Sequence, residues 1–129
     1  MNRTLFFQTT TLVCFIFLLT TCKKDVEDNS AELLVGRWEI QEASRNGRST
    51  ASLDNLYFEF YEDGSMRTNL SGATETAKYA LEPPTIRQME SKMDADYTIQ
   101  EITDSTLFMS TELRGYAFRF LLKKIIPEQ

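Results

Sequence analysis

Downstream of Gly36, apolar side chains recur at every second residue in short runs closed by turn-forming residues. That pattern constrains the fold more than any other feature of the chain. Trp38 and Ile40 alternate with Arg37, Glu39 and Gln41, and Leu56, Phe58 and Phe60 alternate with Tyr57, Glu59 and Tyr61. Period two belongs to a strand with one buried face. Glu62-Asp63-Gly64 reads as a tight hairpin turn, because glycine accepts the positive φ such loops demand. Met66, Thr68 and Leu70 return on the partner strand. Ser71-Gly72-Ala73 turns into Thr76 to Leu81, with Ala77, Tyr79 and Leu81 on one face. Pro83-Pro84 ends that run, since neither proline donates a ladder hydrogen bond. Thr85 to Glu90 is the weakest strand and has no clear inward face. Tyr97 and Ile99 begin the next strand, which ends at Thr103-Asp104-Ser105. Leu107, Met109, Thr111 and Leu113 follow, up to a turn at Arg114-Gly115. Tyr116, Phe118, Phe120 and Leu122 form the inward set of the last strand, which ends before Pro127.

Short connections make neighbouring strands antiparallel. About eight such strands with one apolar face close most simply as an all-β, up-and-down antiparallel barrel; a two-sheet sandwich is the alternative. The longest strand-free piece, Ser44 to Asp54, is expected to cover one mouth. Ser30 to Gly36 fits one short helical turn with Ser30 as its cap. A chain of 129 residues is one domain at this size, and 42% hydrophobic with 12% aromatic residues excludes a disordered chain.

The N-terminus carries an address. Met1-Asn2-Arg3 is a positive start, and Leu5 to Leu19 is an apolar region of about fifteen residues, short of the roughly twenty that span a bilayer. It reads as a secretory signal. Its end, Leu19-Thr20-Thr21-Cys22, resembles the lipobox of bacterial lipoproteins, with Thr21 where Gly, Ala or Ser is usual. The resemblance implies diacylglyceryl transfer to the Cys22 thiol, cleavage before it, and acylation of the new amine by a fatty acid such as palmitate. The expected organisation is a signal peptide over 1–21, a lipidated cysteine and flexible tether over 22–30, and a barrel domain over 31–129. Asp25, Glu27 and Asp28 in the tether also resemble the signal that sends Bacteroidota lipoproteins to the cell surface. A solvated linker is the plain alternative.

Gly36-Arg37-Trp38, the Phe58-Glu59-Phe60 to Gly64 hairpin, Tyr97-Thr98-Ile99, Asp104 to Leu107 and Tyr116-Ala117-Phe118 together resemble the small lipocalin-like lipoproteins of Bacteroidota. The resemblance implies a lipocalin-like barrel whose Gly-x-Trp element starts the first strand, the indole plugging the closed end. It also implies a late arginine packed over that tryptophan. Arg119 is the arginine of the last strand, although its parity places it opposite Phe118 and Phe120. The implied localisation is the bacterial cell envelope, as an outer-membrane lipoprotein, with surface exposure if the acidic tether acts as an export signal.

The chemistry is restricted by what is missing. The chain has no histidine, so histidine-based triads, dyads and zinc sites are excluded. Its net charge of −5 makes nucleic acid a poor partner. Loss of Arg3 with the signal lowers 14 basic residues to 13 against 19 acidic ones, so the mature chain carries −6. Carboxylate pairs such as Glu62-Asp63 and Asp94/Asp96 sit at turns and read as turn formers. No cofactor or metal site is expected, and no enzyme. The barrel interior remains as a candidate site, with Trp38, Phe58, Phe60, Met66, Tyr79, Tyr97, Met109 and Phe118 as the candidate cavity. Eight-stranded barrels are either filled by side chains or hold one small ligand. Two readings therefore stand: a tethered carrier of a small apolar molecule, or an interaction module whose outer surface works, with Tyr57, Tyr61 and the basic loop Arg45 to Arg48 as surface features. Arg87, in the ambiguous strand, is the one cation left as a possible inward charge. Nothing in the sequence names a protein partner.

Overall fold

A computed structural model describes residues 29–127. Cys22, the signal segment and most of the tether lie outside the described residues. A helical turn, α1 (Ser30–Leu34), leads into β1 (Gly36–Arg45), β2 (Arg48–Ser49), β3 (Tyr57–Phe60), β4 (Ser65–Thr68) and β5 (Glu75–Glu82). Then come β6 (Thr85–Met89), β7 (Ala95–Ile102), β8 (Thr106–Leu113) and β9 (Tyr116–Ile125). Every pairing is antiparallel between chain neighbours, except that β1 pairs both β3 and β9. The β1–β9 ladder closes an eight-stranded up-and-down barrel, with β2 a short spur beside β1. Closure removes the free edges that an open sheet of these strands would present.

Two features of the first third differ from expectation. Ser44 to Asp54 is not strand-free: Ser44 and Arg45 prolong β1, and Asn46-Gly47 turns the chain into β2. Asn46 at φ 49 and Gly47 at φ 79 supply the left-handed pair that a two-residue hairpin requires. Asn29, not Ser30, holds the N-cap position, without a side-chain capping hydrogen bond, and Ser30 is buried inside the first turn.

Strand parity holds along most of the barrel, broken by two bulges. The β1–β9 register shifts between Ile40 and Glu42, and the β7–β8 register between Ile99 and Glu101. Each extra residue reverses the alternation beyond it. Ala43 thereby faces inward and Glu42 and Ser44 outward, while Ile102 stays opposite Leu107. In β6 the inward pair is Ile86 and Gln88, both buried. Arg87 lies outside and pairs with Asp96 at 3.4 Å, so it is not an interior cation. Tyr116 keeps the parity of Phe118 and Phe120 but stands beyond the packed layer, 46% exposed at the rim. It is therefore not a core residue.

The closed end is built around Trp38. Its indole Nε1 donates to the Leu34 carbonyl at 2.8 Å, satisfying an end-of-helix acceptor. Gly36 sits at φ +131, and a Cβ there would come within 3.0 Å of Lys124 Cε. The positive φ is what favours glycine there, while the Lys124 stem, being flexible, could yield to a Cβ. Lys124, cross-strand from Trp38, places Nζ 5.1 Å from the indole centroid and donates to the Leu33 carbonyl at 2.9 Å. Lysine, not arginine, is the cation over this tryptophan. Arg119 faces outward beside Ser44 and Ser110, so its expected role is corrected.

Candidate functional site

Packed side chains fill the barrel interior, where the candidate cavity was expected. Trp38, Phe58, Met66, Tyr97 and Met109 have no solvent-accessible surface, and Phe60 has 1%. A void wide enough for one water would leave accessible area on its walls, so these side chains pack against one another and not around a cavity. Phe58 is the hub. Its ring lies 6.1 Å from Phe60 in a stacked arrangement, 5.4 Å from Tyr97 edge-on and 6.1 Å from Phe120. Phe60 meets Tyr79 edge-on at 5.1 Å, and Phe118 stacks on Phe120 at 6.0 Å. Tyr79 and Phe118 are half-buried at the margins of this cluster. All eight candidate residues are thus brought together, as a packed core.

Most polar groups inside the barrel are spent on the protein, although Glu75 Oε1 is buried without a hydrogen-bond partner. Tyr97 Oη donates to Gln88 Oε1 at 2.7 Å, and Gln88 Nε2 donates to Ser91 Oγ and the Met93 carbonyl. Burial pushes the Tyr97 hydroxyl far above the usual tyrosine range, with the Glu75 charge acting the same way. Thr68 Oγ1 donates to the Tyr57 carbonyl, Thr111 Oγ1 to the Asp96 carbonyl, and Tyr79 Oη to the Tyr61 carbonyl. None of these hydroxyls is left over to orient a ligand head group. Gln88 was not visible as a core residue from sequence, because an inward amide breaks the apolar alternation that identifies a strand's buried face.

The outer wall carries organised electrostatics. Arg37 donates to Glu39 and Glu59, and its guanidinium stacks 4.1 Å over the Tyr57 ring. Tyr61 Oη also donates to Glu59. That hydrogen bond, with the Arg37 pair, holds the Glu59 carboxyl below the ordinary carboxylate range and raises the Tyr61 hydroxyl. Tyr57 and Tyr61 are thereby tied into a ladder on the barrel surface. The turn carboxylates do local work: Asp63 Oδ1 accepts from Ser65 N and Oγ, and Asp94 Oδ1 from Ser91 N and Oγ. No cluster of three potential metal ligands occurs among the described residues.

Concave surface lies outside the barrel. A recess of about 380 Å³ on the outer wall is floored by Phe108 and Leu121, paired across β8 and β9, with Glu42, Glu101 and Arg119 around it. A second, of about 540 Å³, lies at the rim against the β1–β2 hairpin and Tyr116. Both reach the size of small-molecule sites, which begin near 300 Å³.

A solved structure with the same architecture exists: a lipocalin-like protein from Bacteroides uniformis ATCC 8492, matched with a TM-score of 0.53 over 72% of this chain and 99% of that one. At 16% identity, the likeness is one of fold. The described residues form a lipocalin-like barrel. No protein-family model and no curated protein sequence matches the chain.

Proposed function

We propose that this chain is a non-catalytic binding protein of the bacterial outer membrane, anchored through lipidated Cys22, whose filled barrel is a rigid platform for contacts made at its outer surface. The observation that carries the reading is the absence of accessible surface on Trp38, Phe58, Met66, Tyr97 and Met109, which leaves a ligand no room inside. The lipobox-like Leu19 to Cys22 supports the anchor, and the polar Lys23 to Asn29 stretch supports a tether. Two or more acyl chains make a stable attachment, at about 0.8 kcal/mol per buried CH₂.

A carrier of a small apolar molecule within the barrel is the second reading. The lipocalin-like fold favours it, as do Met66 and Met109, whose unbranched thioethers repack readily. It requires the core to open. Native mass spectrometry of the mature protein taken from expressing cells separates the two. The platform reading expects the mass of the acylated chain alone, and a stoichiometric co-purifying apolar molecule would return the carrier.

A further inference from the structure

The rim recess differs in chemistry from the rest of this acidic chain. Arg45, Asn46, Arg48, Ser49, Thr50 and Tyr116 line its roughly 540 Å³, and no carboxylate is among them. Arg45 and Arg48 stand directly opposite each other across β1 and β2. Neither belongs to any of the four ion pairs formed among the described residues. Like charges directly opposite on antiparallel strands repel, and an anion between them reverses the sign of that interaction. The Arg45 guanidinium is already held 5.2 Å over the Tyr116 ring, which lowers the entropy lost on engaging a ligand. Asn46 fixes the hairpin to β9: its N–H donates to the Ala117 carbonyl at 2.7 Å, and its Oδ1 accepts from Ala117 N at 2.9 Å. Its amide NH₂ stays available as a further donor.

We propose that this recess binds an oxyanion, the carboxylate or phosphate group of a small soluble ligand. Guanidinium groups present planar forks of donors that match such oxygens bidentately. On the hairpin's other flank, the neighbouring cleft shares Asn46 and Gly47 but sets Glu112 and Asp96 against the single cation Arg119, so an anion is better received at the rim recess, whose lining has no carboxylate. Position argues for a soluble source. β1 begins beside α1 and reaches the recess nine residues later, about 30 Å along the strand at 3.3 Å per residue. The rim is therefore at the opposite end of the barrel from α1. This inference rests on the outer-surface reading and names the chemistry of one part of that surface.

The test is a titration of the mature, lipidated chain in detergent with inorganic phosphate at constant ionic strength, following arginine Nε–H resonances. Saturable shifts are expected at Arg45 and Arg48 and not at Arg87, which is engaged with Asp96. Arg48→Gln should weaken the apparent affinity at least tenfold, while Arg87→Gln leaves it unchanged. Linear shifts shared by all arginines would overturn the site. Binding to phosphatidylglycerol vesicles without binding to free phosphate would overturn the soluble source. Met66 and Met109 methyl signals, followed in the same sample with an apolar probe, test the platform reading separately. Their movement would sink that reading without touching the arginine result.

Discussion

Lys124 holds its ammonium 5.1 Å from the centre of the Trp38 indole, and the two side chains donate to consecutive carbonyls, Leu33 and Leu34, at the end of α1. One cross-strand pair thus closes the barrel and fastens the helix over its end. Lysine suits this place because its slender stem runs past Gly36, where a Cβ would press on Lys124 Cε.

Removing the charge should therefore loosen the closed end. Lys124→Met keeps most of the stem and loses both the cation–π contact and the hydrogen bond. We expect a loss of about 1–3 kcal/mol in urea unfolding. Trp38→Ala should cost about 3–5 kcal/mol as a buried aromatic deletion. If Lys124→Met is neutral, the cation does not fasten α1.

A filled core makes a distinctive prediction about Phe58. Wild type should not take up an apolar fluorescent probe, whereas Phe58→Ala should, because deleting the hub ring opens a dry apolar cavity. The same variant should lose about 3–5 kcal/mol. Wild-type uptake, weakened by Phe58→Ala or Met109→Ala, would instead mean that the interior opens to ligands.

Anchoring is tested by changing Cys22 to Ser. The variant should move from the membrane to the soluble fraction and lose labelling by a fatty-acid analogue. Unchanged membrane partition would remove lipidation from the functional reading.

Acid should act through Glu59. Its carboxyl is held low by the Tyr61 hydroxyl and then by Arg37, so the folded chain binds that proton less tightly than the unfolded one. The contribution to stability is complete above the unfolded value, about pH 4.3, and is lost as pH falls through the lower folded value. Thermal unfolding of wild type should weaken below about pH 4.3. Glu59→Gln should begin less stable at neutrality and decline less steeply there. Parallel declines would assign acid sensitivity to other carboxyls.

Much of this architecture could be read from residues near one another in the chain. Alternation at Phe58/Phe60 and Leu107/Met109, with Gly64 and Gly115 at positive φ in the turns between strands, defines strands and hairpins because side-chain period and turn geometry are local properties. Closure into a barrel followed from many short antiparallel strands that must hide their edges. The eight candidate interior residues were recognisable as one apolar set by the same parity.

What needed the tertiary structure depended on distance and volume. The pairing of Lys124 with Trp38 comes from the β1–β9 register, which a bulge near Gln41 alters without any apolar signal. Gln88 became legible as core only once the fold brought the Tyr97 hydroxyl to its Oε1 and Ser91 and Met93 to its Nε2, because a buried amide is tolerated where its partners are supplied. Whether the barrel is full or hollow was decided by how closely rings from three strands meet at Phe58, a matter of packing volume that parity does not measure. Local chemistry determined the strands; only the closed barrel determined what they leave room for.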